Sequence, residues 1–364
     1  MPTVNVPTMA PTADSKAPAI IDHPAAWQGS NMVDNPCWQF AVDADDIDEL
    51  NVALANAKKQ LKTIDQITAA NFKIPLLQQK ILRIANELER GCGFARLRGL
   101  PIDRWSASDL EWVWMGIASH IGSPVFQNPQ GQILREIKAE GGDVGARYGQ
   151  LEAKEGRFLS SRARTASNAE LRYHTDRCDI VGLLCTGVAR EGGLSKIASS
   201  IAVHNEMLRR YPDQCRLLYE NLPRSRIGEE IGGEHHWFEL PVWTLHQGQF
   251  SSHFSRTYVE ALEHVAGAPT VSAAQWQALD NLALLAEELH LAMQLDVGDI
   301  QFLNNHVIYH SRGAFVDKPE AGFQRCLWRI WLSAPHRPLR DDHAVLWRQV
   351  ESGQIRGGIS DIPL

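Results

Sequence analysis

The chain is expected to be an α+β protein: helices come first, and a mostly antiparallel β core follows, broken by a helical excursion. Three observations predict this. Helix-period patterns dominate from about residue 45 to 121. From Pro124 onward, short strand-like runs punctuated by Gly, Asn and Pro take over. Helical patterns return inside that stretch at 202–210 and 273–295.

Each element has a local reason. Asp45–Leu61 carries acidic residues in its first turns and Lys58 and Lys59 near its end, which complements the helix dipole. Pro75–Arg90 places Leu76, Leu77, Ile81, Ile84, Ala85 and Leu88 at helical spacing and closes on Gly91. Cys92–Leu97 reads as a strand leading into Gly99-Leu100-Pro101. Ser108 opens another helix with Glu111 as its capping-box partner, running to about Ile121 and stopped by Gly122. The Ala273–Leu295 helix sets Trp276, Leu279, Leu282, Leu285 and Leu289 on one stripe. Residues 139–170, rich in Gly, charge and Ser, form a long loop of the kind that serves as a lid. The expected organisation is an extended arm over 1–35, a helical part over 36–125, a β core over 126–340 with its helical insert around 200–295, and a tail over 341–364.

Composition narrows the function. The 364 residues include 36 Lys+Arg against 43 Asp+Glu, a net charge of −7, and no basic block, which argues against a nucleic-acid binder. Hydrophobic residues at 44% and charged residues at 22% suit a globular chain. The longest apolar run, Ile180–Ala189, is too short to span a bilayer, so no membrane partner is expected. The N-terminus, MPTVNVPTMAPTADSKAPAI, shows no secretory pattern, and Cys37, Cys92, Cys178, Cys185, Cys215 and Cys326 are scattered without a CxxC pair. A cytoplasmic location with reduced thiols is expected. The arm is long enough to reach a second subunit in a homo-oligomer.

Several familiar sites are absent: Gly91-Cys92-Gly93 lacks the third glycine of a dinucleotide fingerprint, and there is no P-loop, HExxH or GxSxG. His235-His236 would point to opposite faces of a strand and reads as a surface or hinge pair. In Tyr173-His174-Thr175-Asp176, however, an extended chain sends His174 and Asp176 to the same side, two thirds of a 2-His-1-carboxylate iron triad. The segment 299–312 brings further histidines, His306 and His310, on one strand parity. Cys178 shares parity with His174 and Asp176, but a thiolate there would occupy a position that co-substrate or oxygen needs. Fifteen residues past His310 stands Arg325, with Arg329 at i+4 on the same strand face. Two arginines aimed into a β core need anionic partners, and guanidinium holds a carboxylate bidentately. Arg312 and Lys138 read as solvated strand-end charges. Trp112, Trp114, Trp328 and Trp331 read as packing.

The ordered pieces GFARLRGLP, IGSPVFQNPQG, YHTD, GGLSKIASS, GDIQFLNNHVIYHSR and RCLWRIW resemble the TauD/TfdA family of Fe(II)- and 2-oxoglutarate-dependent dioxygenases over roughly residues 75 to 335. The resemblance implies a double-stranded β-helix (jelly-roll) core. It also implies iron on His174, Asp176 and His310, with His306 left beside the site. Arg325 matches the arginine that grips the distal carboxylate of 2-oxoglutarate, Ser195 the hydroxyl that assists it, and Arg329 divides between an ion pair, the co-substrate and an anionic substrate. The implied activity uses Fe(II), 2-oxoglutarate and O2 to oxidise a C–H bond of a small anionic or amino-acid-like molecule, releasing succinate and CO2. Halogenating relatives replace the carboxylate at position 176, so its presence argues against halogenation; hydroxylation is the default outcome, with desaturation or ring formation set by substrate pose. The rivals are a non-catalytic, cupin-like metal or small-molecule binder, which has no need of a dicarboxylate clamp, and a metal-dependent hydrolase, which needs no O2.

Overall fold

The computed structural model describes residues 18–142, 144, 161–226 and 229–359. The first half of the expected arm and most of the expected lid loop therefore lie outside the described residues.

Among the described residues the chain builds two main sheets, almost wholly antiparallel, and three two-stranded ones, with helices packed around them. In the larger, the strands run in the order Gln39–Ala41, Phe94–Arg98, Ile300–Asn304, Ile180–Gly187, Cys326–Ser333 and Ser123–Val125, with Leu134–Ile137 also paired to Cys326–Ser333. Among the described residues only the Gln39–Ala41 pairing, with Phe94–Arg98, is parallel. In the smaller, the order is Leu291–Met293, Ser195–Ser199, Ile308–Arg312 and Leu171–His174.

Side-chain alternation explains why the large sheet is covered on both faces. Ile180, Leu184, Ala95, Leu97, Ile300, Phe302, Trp328 and Ile330 pack against the three N-terminal helices. Their neighbours Val181, Leu183, Cys185, Phe94, Leu303, Leu327 and Trp331 turn to the other side, where Ile197 and Ile308 of the small sheet meet them. Gly182 sits on the helix side because the Trp114 indole leaves no room for a Cβ, which would stand 2.9 Å from the ring.

The N-terminal helices span Ala44–Gln60, Pro75–Arg90 and Ala107–Ser119. The third starts two residues before expectation: Ser106, not Ser108, caps it, its hydroxyl accepting from the Asp109 amide. The helix expected to run to Leu295 stops at Leu289. His290 is extended, and Leu291–Met293 pairs instead with Ser195–Ile197. A Leu-x-Met-x-Leu run satisfies either period, and the open edge of the small sheet decides it.

Of the segment read as an arm, residues 18–35 lie against the body. Ala25, Trp27 and Met32 are buried, and the Trp27 indole donates to the Cys92 carbonyl at 2.7 Å. Of the segment read as a tail, Trp347 and Arg356 are buried. No helix among the described residues is long and apolar enough to cross a membrane.

Candidate metal centre and co-substrate clamp

His174 ends its strand and lies directly across the small sheet from His310, the two imidazole centroids 4.1 Å apart. The strand stops there, so Asp176 is carried by the following loop, not by strand alternation. The Asn305 side chain accepts from the Asp176 amide at 3.2 Å, and the Phe254 carbonyl accepts from the Thr175 amide at 2.8 Å. One Asp176 oxygen then sits 3.7 Å from His174 Nε2 and the other 3.8 Å from His310 Nε2. Donor atoms of the three residues lie within 4.8 Å of one another, and all three side chains are buried.

Protonation states suit a divalent cation. Burial pushes the His310 imidazole down to about 3 and also lowers His174. Burial alone would raise Asp176, but Arg329, His310 and His174 outweigh it and hold the carboxyl at about 2. At neutral pH the site thus presents two neutral imidazoles and one carboxylate. The Arg172 carbonyl accepts from His174 Nδ1 at 2.9 Å, which fixes the tautomer and leaves the Nε2 lone pair facing the site. The residues fit an iron(II) ion.

Arg325 and Arg329 have different partners. Arg329 Nη1 donates to Asp176 Oδ2 at 3.1 Å, and its Nε donates to Gln127 at 2.7 Å. Arg325 is equally buried, yet no carboxylate among the described residues lies within ion-pair distance, and its Nη1 has no hydrogen-bond partner. Its Nε reaches only the Gly193 carbonyl, at 3.4 Å, and its guanidinium lies 5.5 Å from the Phe315 ring centroid. Burial lowers this guanidinium to about 10. A buried cation without an anion costs several kcal/mol, so the position suits an anionic ligand. Gly193 makes room for it: a Cβ there would stand 2.9 Å from Arg325 Cδ, at a φ of +72°. Ser195, two residues on, donates to the Gln301 side chain at 2.9 Å.

Two sequence readings are corrected here. Arg312 is buried, not solvated, and its guanidinium donates to the carbonyls of Thr165, Ser167 and Ala169, where the chain enters the small sheet. His306 does not share a strand face with His310, because a turn separates Ile300–Asn304 from Ile308–Arg312. Its ring pairs with Asp179 at 2.7 Å and stacks on Trp347. Cys178 is held by Asn305 and stays out of the cluster. His235 and His236 are exposed, and Lys138 pairs with Glu136 at the surface. Sequence reasoning missed two residues that hold the centre. Trp331 does more than pack: its indole N–H donates to Asp176 Oδ2 at 2.8 Å. Gln127 tethers Arg329. Nothing local in the sequence marks either one.

Residues 58–331 match the model of the taurine catabolism dioxygenase TauD, TfdA family. Among characterised relatives, FR-33289 synthase of Streptomyces rubellomurinus is 26% identical over 314 residues, covering 85% of this chain and 89% of that protein. The taurine hydroxylase-like protein SAT17 of Stachybotrys chartarum is 28% identical over 294 residues, covering 80% and 74%. Among solved structures, asparagine oxygenase in complex with Fe(II), 2S,3S-3-hydroxyasparagine and succinate superimposes with a TM-score of 0.61 at 15% identity, over 89% of this chain and all of that one. The non-haem iron oxygenase OrfP, in complex with Fe and alpha-ketoglutaric acid, gives 0.59 at 14% identity, over 87% and 98%. Together with the site, these define a non-haem iron dioxygenase that uses Fe(II), 2-oxoglutarate and O2. The chain belongs to the TauD/TfdA family.

Proposed function

We propose that His174, Asp176 and His310 hold the iron, that Arg325 with Ser195 holds the distal carboxylate of 2-oxoglutarate, and that the enzyme hydroxylates a small amino-acid-like molecule. The observation that carries this reading is the contrast within the buried site: a carboxylate set between two neutral imidazoles, and beside it a guanidinium with no carboxylate in ion-pair distance among the described residues. The chemistry a bound iron supplies there is O2-dependent oxidation of a C–H bond coupled to decarboxylation of 2-oxoglutarate to succinate. The chain's own part is orientation. Arg172 fixes the His174 tautomer, and Arg329 and Trp331 together hold Asp176 Oδ2 in place. In this reading Arg329 acts first as the ion-pair partner of Asp176. The hydroxyasparagine held by asparagine oxygenase and the (3S)-hydroxy-L-Arg held by OrfP support an amino-acid-like substrate. Two facing antiparallel sheets support a double-stranded β-helix core. Six free cysteines support a cytoplasmic location.

The direct test is anaerobic. Fe(II) and 2-oxoglutarate should together give the weak visible charge-transfer band of a chelate. Arg325→Ala should still bind Fe(II) but lose the band at the same co-substrate concentration. A wild-type band in Arg325→Ala would place the clamp elsewhere, and no band in iron-loaded wild type would overturn the assignment. Trp331→Phe tests the orientation of Asp176. It removes one donor to the carboxylate and keeps a ring against the core, so Fe(II) affinity should fall by a factor on the order of 10–100 while the fold is retained. Unchanged affinity would mean that Arg329 alone positions the carboxylate.

A further inference from the structure

A second cluster of metal-ligand side chains lies apart from the iron centre and shares no residue with it. The Cys37 and Cys92 thiols and the Glu87 carboxylate have donor atoms within 4.8 Å of one another. Three separate pieces of chain bring them together. Cys37 is the middle residue of the one-turn 3-10 helix Pro36–Trp38, and its amide donates to the Asn35 side chain at 3.0 Å. Glu87 lies in the last turn of Pro75–Arg90. Cys92 follows that helix, buried, with its thiol on the Phe94 carbonyl at 3.2 Å.

The carboxylate points the wrong way for an ordinary surface glutamate. Arg83 stands one helical turn earlier, the usual ion-pair spacing, yet Glu87 makes no ion pair among the described residues. Its carboxylate folds back over Gly91 toward the Cys92 amide, 3.4 Å away. A Cβ at position 91 would stand 2.0 Å from Glu87 Oε2, so glycine is what lets the carboxylate lie there. One side of the cluster opens into a groove of about 620 Å³ lined by Cys37, Phe40, Lys80, Arg83, Asn86 and Glu87.

We propose that Cys37, Cys92 and Glu87 form a second metal site that takes one zinc-class divalent ion through two thiolates and a carboxylate, with the fourth position open to the groove. The donor set is the soft, tetrahedral kind that Zn(II) favours over the harder iron(II) set of His174, Asp176 and His310. Binding releases two thiol protons to solvent and moves no electrons. Because those protons must leave for the ion to bind, uptake should strengthen as pH rises. An ion there would tie the Pro36–Trp38 turn to the start of the Phe94–Arg98 strand. Trp27 and Trp38 already pack on Phe94 at that point, with ring centroids 5.2 and 5.3 Å away.

Cadmium, titrated into reduced, iron-free, full-length protein, reads the site directly, because only a thiolate ligand gives a cadmium–sulfur charge-transfer band in the ultraviolet. Wild type should develop that band to one equivalent, and His174→Ala should match it. Cys37→Ser should lose the band, and Glu87→Gln should weaken uptake by a factor on the order of 10. Cys37 is only half-buried, so its serine variant is the one that should fold even if a Cys92 variant does not. No thiolate band in reduced wild type, or an undiminished band in Cys37→Ser, overturns the proposal.

Discussion

Asp176→Ala is expected to abolish succinate formation and to strip the protein of iron. The expectation follows from what the carboxylate does in the site. It is the one anion between two neutral imidazoles, with an oxygen 3.7 Å from one Nε2 and 3.8 Å from the other. Without it the two imidazoles have no carboxylate between them to set against a divalent cation, and Arg329, buried beside it, loses its ion-pair partner and repels the metal. The alanine variant therefore combines a lost ligand with an uncompensated cation and should also melt earlier. Asp176→Asn separates the two effects. The amide oxygen still accepts from the Trp331 indole, so folding should be less affected, while iron retention and succinate formation should remain near zero. Succinate measured with 2-oxoglutarate and O2 is the readout, alongside iron content after desalting. Full succinate formation in either variant would sink the ligand assignment.

The residues of the buried cluster were legible in the sequence because their signal is local or nearly so. His174 and Asp176 are two residues apart, and Arg325 follows His310 by fifteen. What surrounds them was not legible, because it depends on sheet register. Trp331 meets Asp176 across 155 positions of chain and Arg329 meets Gln127 across 202; such contacts exist only once Cys326–Ser333 pairs beside Ile180–Gly187. Parity arguments failed where a strand ended sooner than assumed. His306 was put on the His310 face, but a turn lies between them, and Asp176 reaches the site from a loop. The same kind of ambiguity lengthened the Ala273 helix, since its last leucines fit a strand equally well. The alternation of the Ile180–Gly187 run was hidden for another reason. Both faces are covered over Ile180–Cys185, so those six residues carry no polar side chain to mark a face and no period shows.

The largest effect on stability is expected from a residue that the sequence placed in a tail. Arg356→Ala should destabilise the protein by about 3–5 kcal/mol, the usual result of stranding one partner of a buried ion pair. The Arg356 side chain is wholly buried; Nη2 donates to Asp179 Oδ1 at 2.8 Å and Nη1 to the Arg337 carbonyl at 2.8 Å. Asp179 also accepts from His306 and from the Ala334 amide, and its own carbonyl accepts from the Asn305 amide. Asn305 is the residue that holds the Asp176 amide, so the lock reaches the Asp176 loop through a single side chain. The pH dependence distinguishes this mechanism from simple loss of packing. Burial opposes ionisation of Asp179, but His306 and Arg356 hold it at about 2, so its contribution is complete above its unfolded value and fades only as pH falls toward 2. His306, lowered to about 4 by burial and further by Arg337 and Arg356, stays neutral in the wild type near neutral pH, although Asp179 pulls it upward. Removing Arg356 removes part of that repulsion and leaves Asp179 in need of a cation, so the His306 pKa should rise. The variant then binds a proton that the wild-type fold refuses, and the stability gap should narrow between about pH 7 and about pH 5. Urea titrations of both proteins at the two pH values measure it. A gap that stays constant would assign the loss to packing against Trp347, and a cost below about 1 kcal/mol would mean that the Arg356–Asp179 pair contributes little to the fold.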